Sequence, residues 1–388
     1  MIIKKEMIKL LKYIIYTLFI PFWWLQLLIP RNNNLWIFGG WSGEKYSDNA
    51  KVLFEYVKTN NPEIKALWLT RDKKIQENIE NCISINSLSG IYYSLRAGIV
   101  IYSSGKADVN RFFINGAKVI QTWHGAPMKK IGLDDKYANS SIKNFILKFF
   151  YQFIYEFNQD AVVSTAEIFN EKLCSAFDIK PNQIFLTGYP RNDIFFNGKK
   201  HQLIKLWDKQ FNNPQKIIYL PTFRGYKKEF SPFKEFNFIE EEWEKYLERT
   251  NSILVSKGHF VGKSICNKMD NRRVINLSDN MIDDLNPLLK DIDVLITDYS
   301  GAYFDFLLTG NPIILAPFDI EKYLSESREL YFDYYHDIDG VKCYNWGEIL
   351  STLKKGNIGL SNNINVRKYN SFVDGDSSMR LVKEILEL

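Results

Sequence analysis

Cysteine is scarce in this 388-residue chain, and its four residues, Cys82, Cys174, Cys266 and Cys343, lie far apart with no C-x-x-C pair. That pattern excludes a zinc knuckle and a dense disulfide framework, and it fits a reducing compartment. Histidine is equally rare, at four residues. No Walker G-x-x-x-x-G-K-[ST] occurs and no G-x-G-x-x-G follows the first strand candidate, which disfavours a P-loop ATPase and a nicotinamide enzyme. Charge of one sign accumulates nowhere: 50 Lys and Arg are interspersed with 45 Asp and Glu, for a net charge of +5. No nucleic-acid partner is therefore expected, while attraction to anionic lipid or phosphate stays open.

Long apolar runs are confined to the start of the chain. The uncharged stretch Tyr13 to Pro30 follows Lys4, Lys5, Lys9 and Lys12. Its eighteen residues sit at the lower limit for a bilayer span, and Pro21 with the paired Trp23 and Trp24 reads more like interfacial anchoring. An A-x-A-like cleavage site is missing, which argues against a secretory signal peptide. The expectation is a membrane-surface or half-inserted anchor over residues 1–34, ahead of a true span and of an ordinary buried helix.

Beyond it, 46% apolar residues suffice for real cores, and the length exceeds what one core usually serves. Short apolar runs alternate with helical patterns. LWIFG precedes SDNAKVLFEYVKTN, in which Ala50, Leu53, Phe54 and Val57 fall at helical spacing behind a Ser47 or Asp48 cap. IKALWLT, GIVIYSS, AKVIQTW, DAVVST and IFLTG follow as strand candidates, with a helix expected over 141–157. A polar break at FFNGKKHQ, residues 195–202, suits a linker. The pattern restarts with KIIYLPT, a helix near 238–249, SILVSKG, RVINLS, DVLITDYS and PIILAPF, and ends in the helical SSMRLVKEILEL. The expected fold class is α/β, two doubly wound Rossmann-like domains with a cleft between them, over 35–198 and 199–388, the last helix being free to return to the first domain.

Doubly wound sheets bind ligands beyond the carboxyl ends of their strands. Here those ends carry the polar residues: His124-Gly125, Tyr189-Pro190-Arg191, Pro221-Thr222-Phe223-Arg224, Lys257-Gly258-His259 and Asp298-Tyr299-Ser300-Gly301. Ser300 and Gly301 open a helix whose Tyr303, Phe304, Leu307 and Leu308 face the core, and a helix start with free N–H groups can cradle a diphosphate. An ordinary capped helix is the commoner meaning of such a start. Arg191, Arg224 and Lys257 are candidate phosphate ligands; each alone is more often a surface charge, but all three follow strands. His124 and His259 occupy corresponding strand ends of the two halves, where one imidazole could accept a hydroxyl proton and the other donate to a phosphoryl oxygen. His201 and His336 are read as structural. Too few carboxylates lie near both candidate histidines for a dinuclear metal site, so no metal is expected.

QTWHGAPMKKIG, TGYPRNDIFF, IIYLPTFR, ITDYSGAYFDFLLTGNPIILAPFD and FVDGDSSMR, preceded by WIFGGWSGEKYSDNAKVLFEYV, resemble the successive signatures of the CDP-glycerol glycerophosphotransferase family, the teichoic acid primases and polymerases of bacterial cell envelopes. The likeness is collinear over roughly residues 35–380, and several ordered motifs are more specific than one. It implies a GT-B-type fold and transfer of glycerol phosphate from CDP-glycerol, the donor substrate, to a hydroxyl of a lipid-linked (polyprenyl diphosphate) acceptor, with release of CMP and no separate cofactor. It places the base at His124 and a second histidine at His259. Donor contacts fall on Gly125, Ala126, Pro127, Met128, Arg191, Pro221, Thr222, Lys257, Gly258, Ser300, Gly301 and Asp305. A donor made in the cytosol requires a cytosolic cleft, so the lysines and tryptophans of the first 34 residues are expected against the inner leaflet.

The chain departs from the family pattern at three places. Ser300-Gly301 replaces Ser-Ser, Phe260 follows His259 where proline is common, and Ile338-Asp339-Gly340 replaces a Gly-Pro turn. Ribitol-phosphate and capsule-type members share the same frame. Rival readings are a GT-B glycosyltransferase using a nucleotide sugar and a noncatalytic, nucleotide-binding membrane scaffold.

Overall fold

The computed structural model of the chain describes residues 2–136, 148, 152–224, 231–257, 273–278, 281–282, 284–356 and 363–388. Two wholly parallel sheets dominate it. The first orders seven strands β3-β2-β1-β4-β5-β6-β7, with β1 Asn32–Gly39, β2 Lys65–Thr70, β3 Cys82–Ser84, β4 Ala97–Tyr102, β5 Lys118–Gln121, β6 Ala161–Ser164 and β7 Ile184–Leu186. The second orders six, β10-β9-β8-β11-β12-β13, with β8 Gln215–Leu220, β9 Ser252–Ser256, β10 Val274–Asn276, β11 Val294–Thr297, β12 Ile313–Leu315 and β13 Val341–Lys342.

The central strands read as continuous apolar runs because both of their faces are covered. In β1, Trp36 and Phe38 enter one core cluster while Leu35 and Ile37 enter another on the opposite face. In β8, Ile218 and Leu220 join the first of these clusters, and Ile217 and Tyr219 join a third. One apolar core thus runs through both halves of the chain. Each sheet reverses its winding direction at one point, between β1 and β4 and between β8 and β11. Ligand crevices form at such switch points.

Helix α1, Ile2–Leu25, precedes the first sheet and continues through Pro21. Among the described residues no helix is both long and apolar enough to cross a membrane. Helix α2, Asp48–Asn60, buries Ala50, Leu53, Phe54 and Val57 as their spacing requires, but neither expected cap forms as such: Ser47 makes no side-chain capping bond and Asp48 takes a left-handed φ of 71°. Most of the helix expected over 141–157 lies outside the described residues. Its last part is not helical, since Lys106 Nζ draws the carbonyls of Gln152 (2.9 Å) and Tyr155 (2.5 Å) out of helical pairing. Between the sheets, His201 caps the helix Gln202–Phe211, its Nδ1 accepting the Leu203 N–H at 3.2 Å. The last helix, Ser377–Leu386, sits on the first half, with the Ser377 and Ser378 N–H groups both donating to the Asp193 carboxylate at 2.8 Å.

Candidate functional site

A cleft of about 650 Å³ opens where the switch points of the two sheets face each other. It is lined by Trp41 and Lys45 after β1, by the segment Trp123–Lys129 after β5, by Pro221 after β8, by Lys257 after β9, and by Ser300 and Gly301 after β11. His124, Gly125, Ala126, Pro127, Met128, Arg191, Asp305 and the residues just named therefore share one cavity. Thr222 does not line it: that residue is buried, its N–H donating to the Asp298 carboxylate at 2.9 Å. Arg224 is also withdrawn, because its guanidinium donates to Asp298 (2.8 Å), Asp319 (2.7 Å) and the Thr222 carbonyl (2.6 Å). Gly258 and His259 lie outside the described residues.

The loop bearing His124 is built around a buried amide. Asn49, at the start of α2, donates through Nδ2 to the carbonyls of Thr122 (3.2 Å) and Trp123 (2.8 Å) and accepts the Arg191 N–H at Oδ1 (3.1 Å). Trp123 holds a left-handed φ of 55°, and its indole lies 4.0 Å from the imidazole centroid, which Trp41 approaches from 5.4 Å. His124 Nδ1 lies 3.4 Å from the Ser103 carbonyl oxygen. A carbonyl can only accept, so Nδ1 carries the proton and Nε2 is left as the basic nitrogen. Burial pulls the His124 pKa below its ordinary value, opposed by Asp48 and assisted by Arg191, so the ring is neutral at neutral pH.

Arg191 ties the halves together. Its Nη1 donates to Asp48 of the first half (2.9 Å) and to the His124 carbonyl (2.8 Å), while Nη2 pairs with Asp305 of the second. Both terminal nitrogens are thus engaged, and the guanidinium forms the cleft wall. Gly125 permits this closeness: its φ is 141°, and a Cβ there would lie 2.9 Å from Arg191 Nη2. Asp284, beside Asp48, has its carboxyl pKa raised by burial and by that neighbouring carboxylate.

On the facing side, Ser300 Oγ accepts the Ala302 N–H at 3.3 Å, opening a helix of only five residues, Ala302–Phe306. Any anion there meets local N–H groups rather than a long helix dipole, which differs from the sequence expectation. Gly301 packs against the other half, since a Cβ on it would lie 2.7 Å from the Ala126 carbonyl oxygen. Nearby, Lys129 and Leu330 form an antiparallel bridge, with Lys130 N–H donating to Glu329 O (2.9 Å) and Tyr331 N–H to Met128 O (3.0 Å).

Sequence reasoning passed over three residues that this geometry brings forward. In sequence, Asn49 and Asp48 read only as parts of a helix start. Lys129 has nothing in its local sequence to mark a role beyond the lysine pair directly behind the apolar Pro127-Met128, yet it lines the cleft, and burial pulls its ammonium pKa down to about 8 against the attraction of Asp298. Backbone strain also gathers here: Trp41, Ser42, Asp48 and Trp123 all have left-handed φ, each costing about 1–3 kcal/mol and typical of functional sites. Among the described residues no group of three His, Cys, Asp or Glu side chains is placed to hold a metal ion.

Two parallel sheets whose switch points meet at a polar cleft, with His124 on one rim and the Ser300–Gly301 helix start on the other, define an α/β protein with a ligand crevice between its sheets. Residues 22–387 match the CDP-Glycerol:Poly(glycerophosphate) glycerophosphotransferase family, and the chain belongs to it. It is 29% identical to the teichoic acid glycerol-phosphate transferase of Staphylococcus aureus (strain NCTC 8325 / PS 47), over 99% of this chain and 100% of that protein. The teichoic acid glycerol-phosphate primase of Bacillus subtilis (strain 168) is 29% identical over 88% of this chain and 90% of its own. In fold it is similar to the wall teichoic acid polymerase TagF, with a TM-score of 0.71 at 21% identity, over 92% of this chain and 89% of that one. The protein is an enzyme of the glycerophosphotransferase class, with a parallel α/β fold like that of TagF.

Proposed function

We propose that the enzyme transfers glycerol phosphate from CDP-glycerol to a hydroxyl of a lipid-linked acceptor, on the route to teichoic acid or a related cell-surface polymer. The observation that carries this reading is the placement of His124, its Nδ1 turned to the Ser103 carbonyl, in a cleft whose opposite rim is the Ser300–Gly301 helix start. The cavity lies within the range of about 300–1,000 Å³ usual for small-molecule sites. In the reaction the acceptor hydroxyl gives its proton to His124 Nε2, and its oxygen bonds to the phosphorus that bears glycerol. The bond from that phosphorus to the bridging oxygen breaks, and CMP departs with that oxygen. Charge developing on the phosphoryl oxygens falls to the N–H groups around Ser300 and Gly301, to Lys129 and to Lys257, so positioning and electrostatics supply most of the acceleration. His259 takes the part of a second proton donor by resemblance alone.

On this reading a donor made in the cytosol and a lipid-linked acceptor together call for work at the cytoplasmic face of the bacterial membrane. Exposed Ile14, Ile15, Leu18, Trp24, Leu25, Leu27 and Leu28, behind four lysines, support attachment there through α1.

The test is CMP release from CDP-glycerol in the presence of a lipid-linked acceptor. His124→Ala is expected to lower kcat by about 10²–10⁴-fold, the usual contribution of a general base, while melting at a native temperature. A folded variant with native turnover removes the base assignment. Release of UDP or GDP from sugar donors, with no CMP from CDP-glycerol or CDP-ribitol, replaces the donor class.

A further inference from the structure

The carboxylate of Asp108 is fully buried and does not line the cleft, yet a single peptide group separates it from the imidazole of His124. Asp108 ends the short turn Lys106–Asp108 that follows β4. Four main-chain N–H groups converge on it: Ser42 on Oδ1 (2.6 Å), and Ser103 (3.1 Å), Ser104 (2.6 Å) and Gly105 (3.4 Å) on Oδ2. Such a ring of donors suits an ionised carboxylate, which can only accept. Burial raises the Asp108 pKa, and these bonds oppose that rise.

The Ser104 N–H belongs to the same peptide group as the Ser103 carbonyl, whose oxygen lies 3.4 Å from His124 Nδ1. In a trans peptide the N–H and the C=O point opposite ways, so this unit meets the carboxylate on one side and the imidazole on the other. A negative charge at the N–H end polarises the amide and strengthens its carbonyl as an acceptor, because hydrogen bonds in a chain reinforce one another away from water. The unit is also held in place. Ser103 Oγ accepts the Ala50 N–H of α2 at 3.1 Å and lies 3.3 Å from Thr122 Oγ1, two residues before His124.

We infer that Asp108 is a positioning residue for His124: through the Ser103–Ser104 peptide its carboxylate holds the imidazole proton on Nδ1, leaves Nε2 to accept, and offsets the charge the ring takes on. The order is that of a carboxylate–histidine pair with an amide inserted between the two. This assignment rests on the transferase reading above, in which Nε2 takes the proton of the acceptor hydroxyl. The imidazolium so formed keeps its Nδ1–H on the Ser103 carbonyl, and Asp108 stays ionised and takes no proton. Asp48, Arg191 and Lys129 also act on the ring by charge, while Arg71 and Tyr102 lie in the field of Asp108. Asp108 differs from them in acting on one ring nitrogen through a chain of hydrogen bonds.

The experiment uses the full chain with its four histidines labelled with nitrogen-15, and His124→Gln to assign the signal. Long-range proton–nitrogen spectra read the tautomer and the titration of His124 directly. The native ring is expected to carry its proton on Nδ1. Asp108→Asn keeps the side-chain shape and removes the charge, so the variant should show a mixture of tautomers and a His124 that titrates at lower pH, since a lost negative charge disfavours the imidazolium. The acid limb of kcat/KM should move down with it. Turnover should fall about 10–100-fold, as when a metal-bound histidine loses its outer partner, while KM for CDP-glycerol changes by less than about twofold. Should the asparagine variant not fold, Asp108→Ser, small enough for water to meet the freed N–H groups, takes its place with the same expected outcomes. A role in folding alone would lower the melting temperature and leave tautomer, titration and acid limb native, and that result overturns the assignment. A native His124 with its proton on Nε2 overturns it without any variant. If His124→Ala keeps native turnover while Asp108→Asn still shifts the tautomer, the base reading fails and the link from Asp108 to the imidazole stands.

Discussion

Lys129 shows what a single residue adds once its surroundings are known. Its ammonium reaches the cleft, and among the described residues it has no hydrogen-bond or ion-pair partner, unlike Arg191 with its two carboxylates. With a pKa near 8 it is protonated below that pH and loses its charge above it. His124 runs the other way, since its lowered pKa makes it a base at neutral pH that is lost only on acidification. The free enzyme's kcat/KM for CDP-glycerol should therefore be bell-shaped, with an acid limb below the ordinary histidine value and an alkaline limb near 8. Lys129→Met should remove the alkaline limb and lower kcat/KM by about 10–100-fold, the loss of one charge-assisted bond, while Lys129→Arg moves that limb upward. An alkaline limb that persists in the methionine variant assigns it elsewhere. At this scale the sequence shows His124, because a histidine at a strand end is visible locally. It hides Asn49 and Asp48, whose partner Arg191 lies more than 140 residues away in the chain.

Among elements, the strands buried on both faces were legible because their apolar runs admit no other reading. The two that were missed, β3 and β13, are edge strands of three and two residues, half-buried and without a run to announce them. The helix expected toward residue 157 failed for a reason no local pattern contains, a buried lysine from a distant loop claiming its carbonyls. The short helix after β11 shows how an element's start can be tuned by one residue. Gly301 has a φ of −62°, open to any side chain, so its constraint is steric alone: the Ala126 carbonyl oxygen would lie 2.7 Å from a Cβ. Gly301→Ala should push the two rims apart, costing about 1–3 kcal/mol in stability by overpacking and weakening CDP-glycerol binding. Denaturant titration and calorimetry measure both. Native values in each would mean that the Ala126 loop yields freely and that the close contact has no part in shaping the site.

Over the whole molecule, the two halves are joined around the cleft by a shared core, an arginine bridge from Arg191 to Asp48 and Asp305, and the strand-like pairing of Lys129 with Leu330. None of these could be read from sequence, since each joins residues whose proximity the fold alone creates. The same view bears on membrane attachment. Helix α1 is itself docked: Trp23 is buried, Phe19 and Trp23 pack on Phe153, and buried Gln26 bonds to Phe112 O (2.8 Å) and the Asn115 N–H (3.2 Å). Deleting the segment would strip an aromatic cluster from the first half and confound loss of binding with loss of fold. The outward face can be changed without touching that cluster, because Leu18, Leu25 and Leu28 are 75%, 58% and 79% exposed. A Leu18→Asp, Leu25→Asp, Leu28→Asp variant should keep its melting temperature within a few degrees, as surface substitutions do. In flotation with vesicles containing phosphatidylglycerol it should lose at least about tenfold in bound fraction, since each leucine inserted at the interface contributes up to about 1.5–3 kcal/mol. The native chain should also bind these vesicles better than phosphatidylcholine vesicles, and less so at high salt, because the lysines ahead of the helix act through a screened field. A triple variant that floats as well as the native chain would move the attachment surface away from α1.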